Sequence, residues 1–292
     1  MVSELPFELE RRIFELAATS HLRNIPQLCQ VAWRVKEWVE PLLYTTLAIY
    51  NDDDIINGLE IPGEIPSCSP GICDVAFSSR PHLRAHVRNV IIPEKIEPET
   101  VYSILRGLRN VENLFLVGIR RQTMPIHWES YRTLRHLYCH PRAQDMGWTA
   151  GATFGHPIFS NITHLEMFNG FPDDSKDSAG LRGLASLPSL SHLALDWLDI
   201  PTLKRFLEIP LSETRVRTVV VLTMSMDHTS ERLEDAEDAG LGCIPRLVVT
   251  ALPDYIEDWQ RGVLSGDDYW ARADALIAKR LSGEVDEKTL VF

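Results

Sequence analysis

The sequence predicts an α/β chain in three parts: a small N-terminal helical module, a short solenoid on a parallel sheet, and a C-terminal capping helix. Three observations predict it. Apolar residues recur at helical spacing through the first 48 residues. A six-residue apolar pattern then returns seven times at near-even intervals. The stretch 266–282 breaks that pattern and carries a helix-start signal. The boundaries that follow are a helical domain at 1–48, a linker at 49–80, and a repeat domain at 81–292 with its cap at 266–282.

The opening "ELPFELERRIFELAA" places Leu9, Ile13, Phe14 and Ala17 at three- and four-residue steps, the spacing of one helix face. Pro6 suits the start of that helix, where a missing N–H costs nothing. A second set, Ile25, Leu28, Val31, Val35, Trp38, Val39 and Leu42, predicts one further helical run, which Pro41 should end or bend. "TTLAI" then reads as a strand. From 51 to 80, "NDDD", "PGEIPSCSPG" and "SSRP" carry turn-forming residues and predict a join between two parts.

The repeating pattern is apolar-x-x-apolar-x-apolar. It appears as "VRNVII" (87–92), "VENLFL" (111–116), "LRHLYC" (134–139), "ITHLEM" (162–167), "LSHLAL" (190–195), "VRTVVV" (216–221) and, more weakly, "IPRLVV" (244–249). Successive starts differ by 24, 23, 28, 28, 26 and 28 residues. That period falls in the range of leucine-rich repeats, although the asparagine that often follows such strands is missing. A unit of this size cannot bury its apolar side alone, so neighbours must stack. "SERLEDAEDAG" (230–240) is an acidic exposed helix or loop. "GDDYWARADALIAKRL" (266–281) is a helix with an aspartate to cap it and Trp270, Ala273, Ile277 and Leu281 on one face. It is expected to shield the open end of the stack.

Composition narrows the function. The chain has 292 residues, 45% hydrophobic and 24% charged, an ordinary balance for a protein with a sizeable core. Its net charge of -12 disfavours nucleic acid, whose binding depends on basic surfaces, and anionic membranes. Five scattered cysteines fit a reducing compartment better than a disulfide framework. The start lacks a basic region followed by an apolar run, and no apolar run is long enough to span a bilayer. A cytoplasmic or nuclear location is expected.

The first 48 residues resemble an F-box. The matching features are Leu5-Pro6, Glu8-Leu9 and Ile13-Phe14, then Leu28, Val31, Trp38 and Pro41-Leu42-Leu43-Tyr44. Trp38, rather than Trp33, matches the family's tryptophan. With the repeats, the arrangement resembles F-box proteins with degenerate leucine-rich repeats, abundant in fungi. The resemblance implies that the N-terminal module has three helices and that the chain is a non-catalytic substrate receptor of a cullin–RING ubiquitin ligase. Leu5, Pro6, Leu9, Ile13, Phe14, Leu28, Val31 and Trp38 would bind a Skp-type adaptor that links to the cullin, and the repeats would hold a target protein. Packing of the opening residues on the first repeat, as a plain N-terminal cap within a repeat scaffold, is the alternative.

Aligned repeats predict which side chains leave the core. Alternate strand residues point to opposite faces, and neighbouring strands lie about 4.8 Å apart. The first outward row is then Asn89, Asn113, His136, His164, His192, Thr218 and Arg246, with three histidines in a column. The next contains Phe115, Tyr138, Glu166 and Ala194, and the one beyond it Val117, His140, Phe168 and Asp196. An open concave face follows, with Phe115, His136, Tyr138, His164, Phe168 and His192 as target-binding candidates. Stacked imidazoles would resist simultaneous protonation and make binding pH-sensitive. A straight ladder has poor angles for tetrahedral zinc.

Sequence motifs for catalysis or cofactors are missing. There is no G-x-x-x-x-G-K-[ST], G-x-G-x-x-G or G-x-S-x-G. "HLRAH" (82–86) lacks the glutamate of a zinc protease. "CSPGIC" (68–73) has no second thiol pair, and "DDSKDS" (173–178) lacks the glycine and glutamate of a calcium loop. No metal, cofactor or catalytic residue is therefore assigned.

Overall fold

The computed structural model describes residues 5–50, 65, 67–92, 96–116, 131–139, 153–168, 178–196, 200–223, 226–252 and 254–291. Val117, His140 and all of "DDSKDS" but its last serine lie outside these residues. The N-terminal module contains α1 (Phe7–Ser20), α2 (Ile25–Leu28) and α3 (Trp33–Val39). Ala18, Leu22, Ile25, Val35 and Val39 form its own small core, with Phe14, Leu28 and Trp38 packed against it. The single run predicted for residues 25–42 is split, because Ala32 is extended between α2 and α3. Pro41 acts as expected: α3 stops at Val39 and a 3-10 turn leads out.

Nine strands then form one sheet: β1 (Thr46–Ile49), β2 (Ser67–Cys68), β3 (Asn89–Ile92), β4 (Asn113–Leu116), β5 (His136–Cys139), β6 (His164–Met167), β7 (His192–Leu195), β8 (Thr218–Thr223) and β9 (Leu247–Ala251). Every described pairing is parallel, in the order β2-β1-β3-β4-β5-β6-β7-β8-β9. The seven hexamers are therefore adjacent strands in chain order, as in a solenoid. Their register is the predicted one, with His136 opposite His164 and His164 opposite His192.

The pattern works because three of its six positions point to one side. Leu114, Leu137, Leu165 and Leu193 are at most 1% exposed, and so are Val111, Leu134, Ile162 and Leu190 from the start of each hexamer. The helices between strands cover this side: α4 (Pro70–Ser79), α5 (Pro98–Leu105), α6 (Ser178–Ala185), α7 (Ile200–Leu207) and α8 (Met226–Asp238). Cys73, Phe77, Val101, Leu184 and Phe206 join its core.

Two boundaries change. β1 belongs to the sheet rather than to the helical module. Tyr44-x-x-Leu47-x-Ile49 obeys the hexamer pattern, a signal the repeat count passes over. The supposed linker holds β2 and α4, both packed on the sheet core. The acidic segment at 230–240 is mostly helix: α8 buries Ala236 and leaves its carboxylates outside.

The C-terminal prediction changes most. Two helices, α9 (Tyr255–Ser265) and α10 (Tyr269–Ser282), fold back across the second face of the sheet. They meet closely: a Cβ on Gly262 would lie 2.7 Å from the Cβ of Asp268, and Gly266 between them has a φ of 75°. Asp258, 2% exposed, holds the pair together by accepting hydrogen bonds from the Arg261 and Arg272 guanidiniums and the Tyr269 N–H. The edge is served by the far end of α10, where Arg280 donates to the Leu247 carbonyl at 2.8 Å, and by the segment after it, where the Leu290 carbonyl accepts from Val249.

Leu165 lies at the centre of the repeat core. Leu165→Ala should cost about 2–5 kcal/mol in urea unfolding, the price of a cavity with no room to collapse.

Candidate functional site

Two regions concentrate the residues singled out in the sequence. The first is α1, which is apolar on two opposite sides. Phe14 and Ala18 face inward, and Phe7 lies on the same side of the helix although it is 55% exposed. Phe14 and Phe7 pack against Trp38, with ring centroids 6.4 and 5.0 Å away, and Ala18 is fully buried. Glu10 pins the helix to α3 through the Arg34 guanidinium at 2.7 Å. Leu9, Ile13 and Leu16 form the opposite stripe and are 54%, 55% and 49% exposed. Leu5, at the helix entry, is 51% exposed.

The adaptor-binding set therefore divides. Phe14, Leu28 and Trp38 are half-buried in the module's own core, whereas Leu5, Pro6, Leu9, Ile13 and Val31 are exposed. Leu5, Pro6, Leu9 and Ile13 are exposed and belong to neither core of the sheet, whereas the N-terminal-cap alternative would bury them there. Leu16 was missed, yet it lies seven residues after Leu9 and three after Ile13, on the same helical line. Trp33, set aside in the sequence in favour of Trp38, is the most exposed tryptophan among the described residues, and its indole N–H donates to Glu37 at 2.8 Å.

The second region is the sheet face expected to be open. The structure corrects this: Phe115, Tyr138, Phe168 and His192 are all under 8% exposed because α9 and α10 cover them. His136 and His164 retain partial exposure at the rim. Trp259 donates to the Asn113 side chain at 2.9 Å and packs edge-on against Phe115. Trp270 donates to the Tyr138 hydroxyl at 3.2 Å and sets its edge against His164 and His192. Tyr269 donates to Glu166 at 2.6 Å. A target cannot touch the buried members while these helices stay in place. The sequence marked α10 as a helix with an apolar face, but carries no local sign of which surface that face meets.

The histidine column forms as predicted. His164 and His192 stack with ring centroids 4.0 Å apart and planes 9° from parallel, and His136 meets His164 edge-on at 4.2 Å. Burial holds all three below the ordinary histidine pKa, with His136 brought down to about 4. The parallel rings of His164 and His192 do not aim their nitrogens at a common point. Among the described residues no group of three His, Cys, Asp or Glu could hold a metal ion.

Ser191, His192 and Asp274 line up in the order of a hydrolytic triad. Ser191 Oγ lies 2.7 Å from His192 Nδ1, and His192 Nε2 lies 3.1 Å from Asp274. The same local bond recurs one repeat earlier between Thr163 and His164 at 2.9 Å. Thr218 also donates to Asp274, at 2.6 Å. This is the polar clasp between α10 and the sheet, repeated with the strands. Partial burial raises the Asp274 pKa, but the bonds from Thr218 and His192 outweigh it and hold the carboxylate low.

Glu166 is the least expected residue here. It is fully buried under Tyr269, its Oε1 has no hydrogen-bond partner, and burial pushes its pKa up to about 8. At neutral pH it is mostly a neutral acid, which is how it tolerates the site. The "HLRAH" histidines, His82 and His86, are exposed on a 3-10 turn.

No family model matches the chain, and no curated protein or solved structure matches it either.

The two kinds of buried group have opposite pH signatures. The histidine pKa values are depressed, so their stability is full above about 6.5 and is lost as pH falls toward 4. The Glu166 pKa is raised, so its stability is full below about 4.5 and is lost as pH rises toward 8. Glu166→Gln should therefore match wild type near pH 4.5 and gain roughly 1.4 kcal/mol per pH unit above it in urea melts, until about pH 8. Trp270→Ala should cost about 3–5 kcal/mol and raise binding of a hydrophobic dye, as α10 lifts from the aromatic face.

Proposed function

We propose that the chain is the substrate-recognition subunit of a cullin–RING ubiquitin ligase, docked through α1 onto a Skp-type adaptor. The exposed stripe of Leu9, Ile13 and Leu16, with Leu5 beside it, carries the proposal. A short helix that already has an inward face to bury gains nothing from a second apolar side in water. Such a side marks a surface that another protein covers. The F-box resemblance names the partner, because Leu5-Pro6, Leu9 and Ile13 are both its matching residues and the exposed ones.

In this reading the protein does no chemistry. It holds a target close to a ubiquitin-charged enzyme and raises its effective concentration there. The second face of the sheet is occupied by α9 and α10, so the target is held elsewhere on the repeat domain.

The test is binding of the purified chain to a Skp-type adaptor, measured beside Ile13→Asp. Ile13 is exposed, so the variant should keep its circular dichroism spectrum and melting temperature. Binding at least about tenfold weaker in the variant is the expected result. A folded wild type that does not bind would sink the ligase reading and leave a repeat scaffold with some other partner.

A further inference from the structure

The junction between the helical module and the sheet holds two sulfur atoms in contact. Cys68 ends the edge strand β2, and Cys73 lies in the first turn of α4. Their Sγ atoms are 2.8 Å apart, and both thiols are free. A disulfide bond is about 2.05 Å long, so a small movement of either side chain would close it. Cys68 is half-buried and Cys73 is buried. An external reagent thus meets Cys68 first.

The setting favours a reactive pair. Ser69 caps α4 by accepting the Ile72 N–H, which orients the helix N-terminus beside the Cys73 sulfur. Either thiol can donate in the hydrogen bond between them, and the sulfur that accepts it is the one better able to carry the attacking thiolate; with Cys73 as donor that sulfur is the more accessible Cys68. α4 is also the element that ties the sheet to the helical module. Its Phe77 packs on Tyr44 with ring centroids 6.1 Å apart, and Arg80, just past its end, pairs with Glu40.

We propose that Cys68 and Cys73 form a reversible dithiol–disulfide site that fastens edge strand β2 to α4. The oxidant is a low-molecular-weight disulfide of the glutathione class. Cys68 attacks one of its sulfurs, and the leaving thiolate takes the Cys68 proton. Cys73 then attacks the Cys68 sulfur, breaking the mixed disulfide, and the second leaving thiolate takes up a proton. The protein loses two protons and two electrons, and the external disulfide becomes two thiols. In a reducing compartment such a bond is transient and reports the redox state. The inference is independent of the adaptor reading.

The full-length chain would be equilibrated in buffers of varied reduced-to-oxidised glutathione ratio. It would then be acid-quenched, alkylated under denaturing conditions and mapped by peptide mass. The expected result is a Cys68–Cys73 disulfide that rises with oxidant, disappears with dithiothreitol, and slows amide exchange in residues 70–79. In Cys73→Ser the same conditions should leave a stable glutathione adduct on Cys68. Two alkylatable thiols at these positions throughout would overturn the proposal. So would a wild-type adduct on Cys68 that never resolves, or a bond that leaves amide exchange unchanged.

Discussion

A parallel sheet has two faces to bury, and this constraint governs the whole molecule. Helices between strands can cover only one of them when every crossover returns on the same side. Here α4 through α8 cover that side, and the pair α9 and α10 covers the other. The second cover is aromatic on both surfaces, with Trp259, Tyr269 and Trp270 meeting Phe115, Tyr138 and Phe168. Polar bonds cross the seam at three points: Trp259 donates to Asn113, Tyr269 donates to Glu166, and Asp274 accepts from Thr218. Burial of this seam turns three histidines and one glutamate into neutral groups, which would be unremarkable on an open face.

The N-terminal module obeys a different constraint. It has a separate small core, and its first helix has more apolar surface than that core can take. Size sets this limit, because a unit of fewer than fifty residues encloses little interior. The module is joined to the sheet directly through β1 and through α4. The proposed Cys68–Cys73 site lies beside that seam.

Much of the architecture was legible in the residues. The hexamer pattern identifies β3 to β9, their order, their inward residues and the cross-strand alignment of the histidines, because a two-residue period leaves only one register that buries the leucines. The α1 stripe was half legible. Leu9 and Ile13 stood out beside the Leu-Pro motif, while the three- and four-residue steps could not say which apolar residues face the module and which face water. β1 was legible as a strand in "TTLAI" but was not counted with the repeats, because its interval to the next hexamer is longer than the others; β2 escaped notice because two residues carry no periodicity.

The sequence by itself determined the repeats, their pairing and the identity of each outward side chain, since these follow from local alternation along each strand. Only the tertiary structure decided that the outward face is an interior. That outcome depends on α9 and α10 meeting residues up to about 150 positions earlier, as Trp259 does with Asn113, and no local pattern encodes a contact at that separation. Glu166 and Tyr269 are likewise 103 positions apart, so the pKa of that carboxyl belongs to the fold and not to its neighbours in the chain.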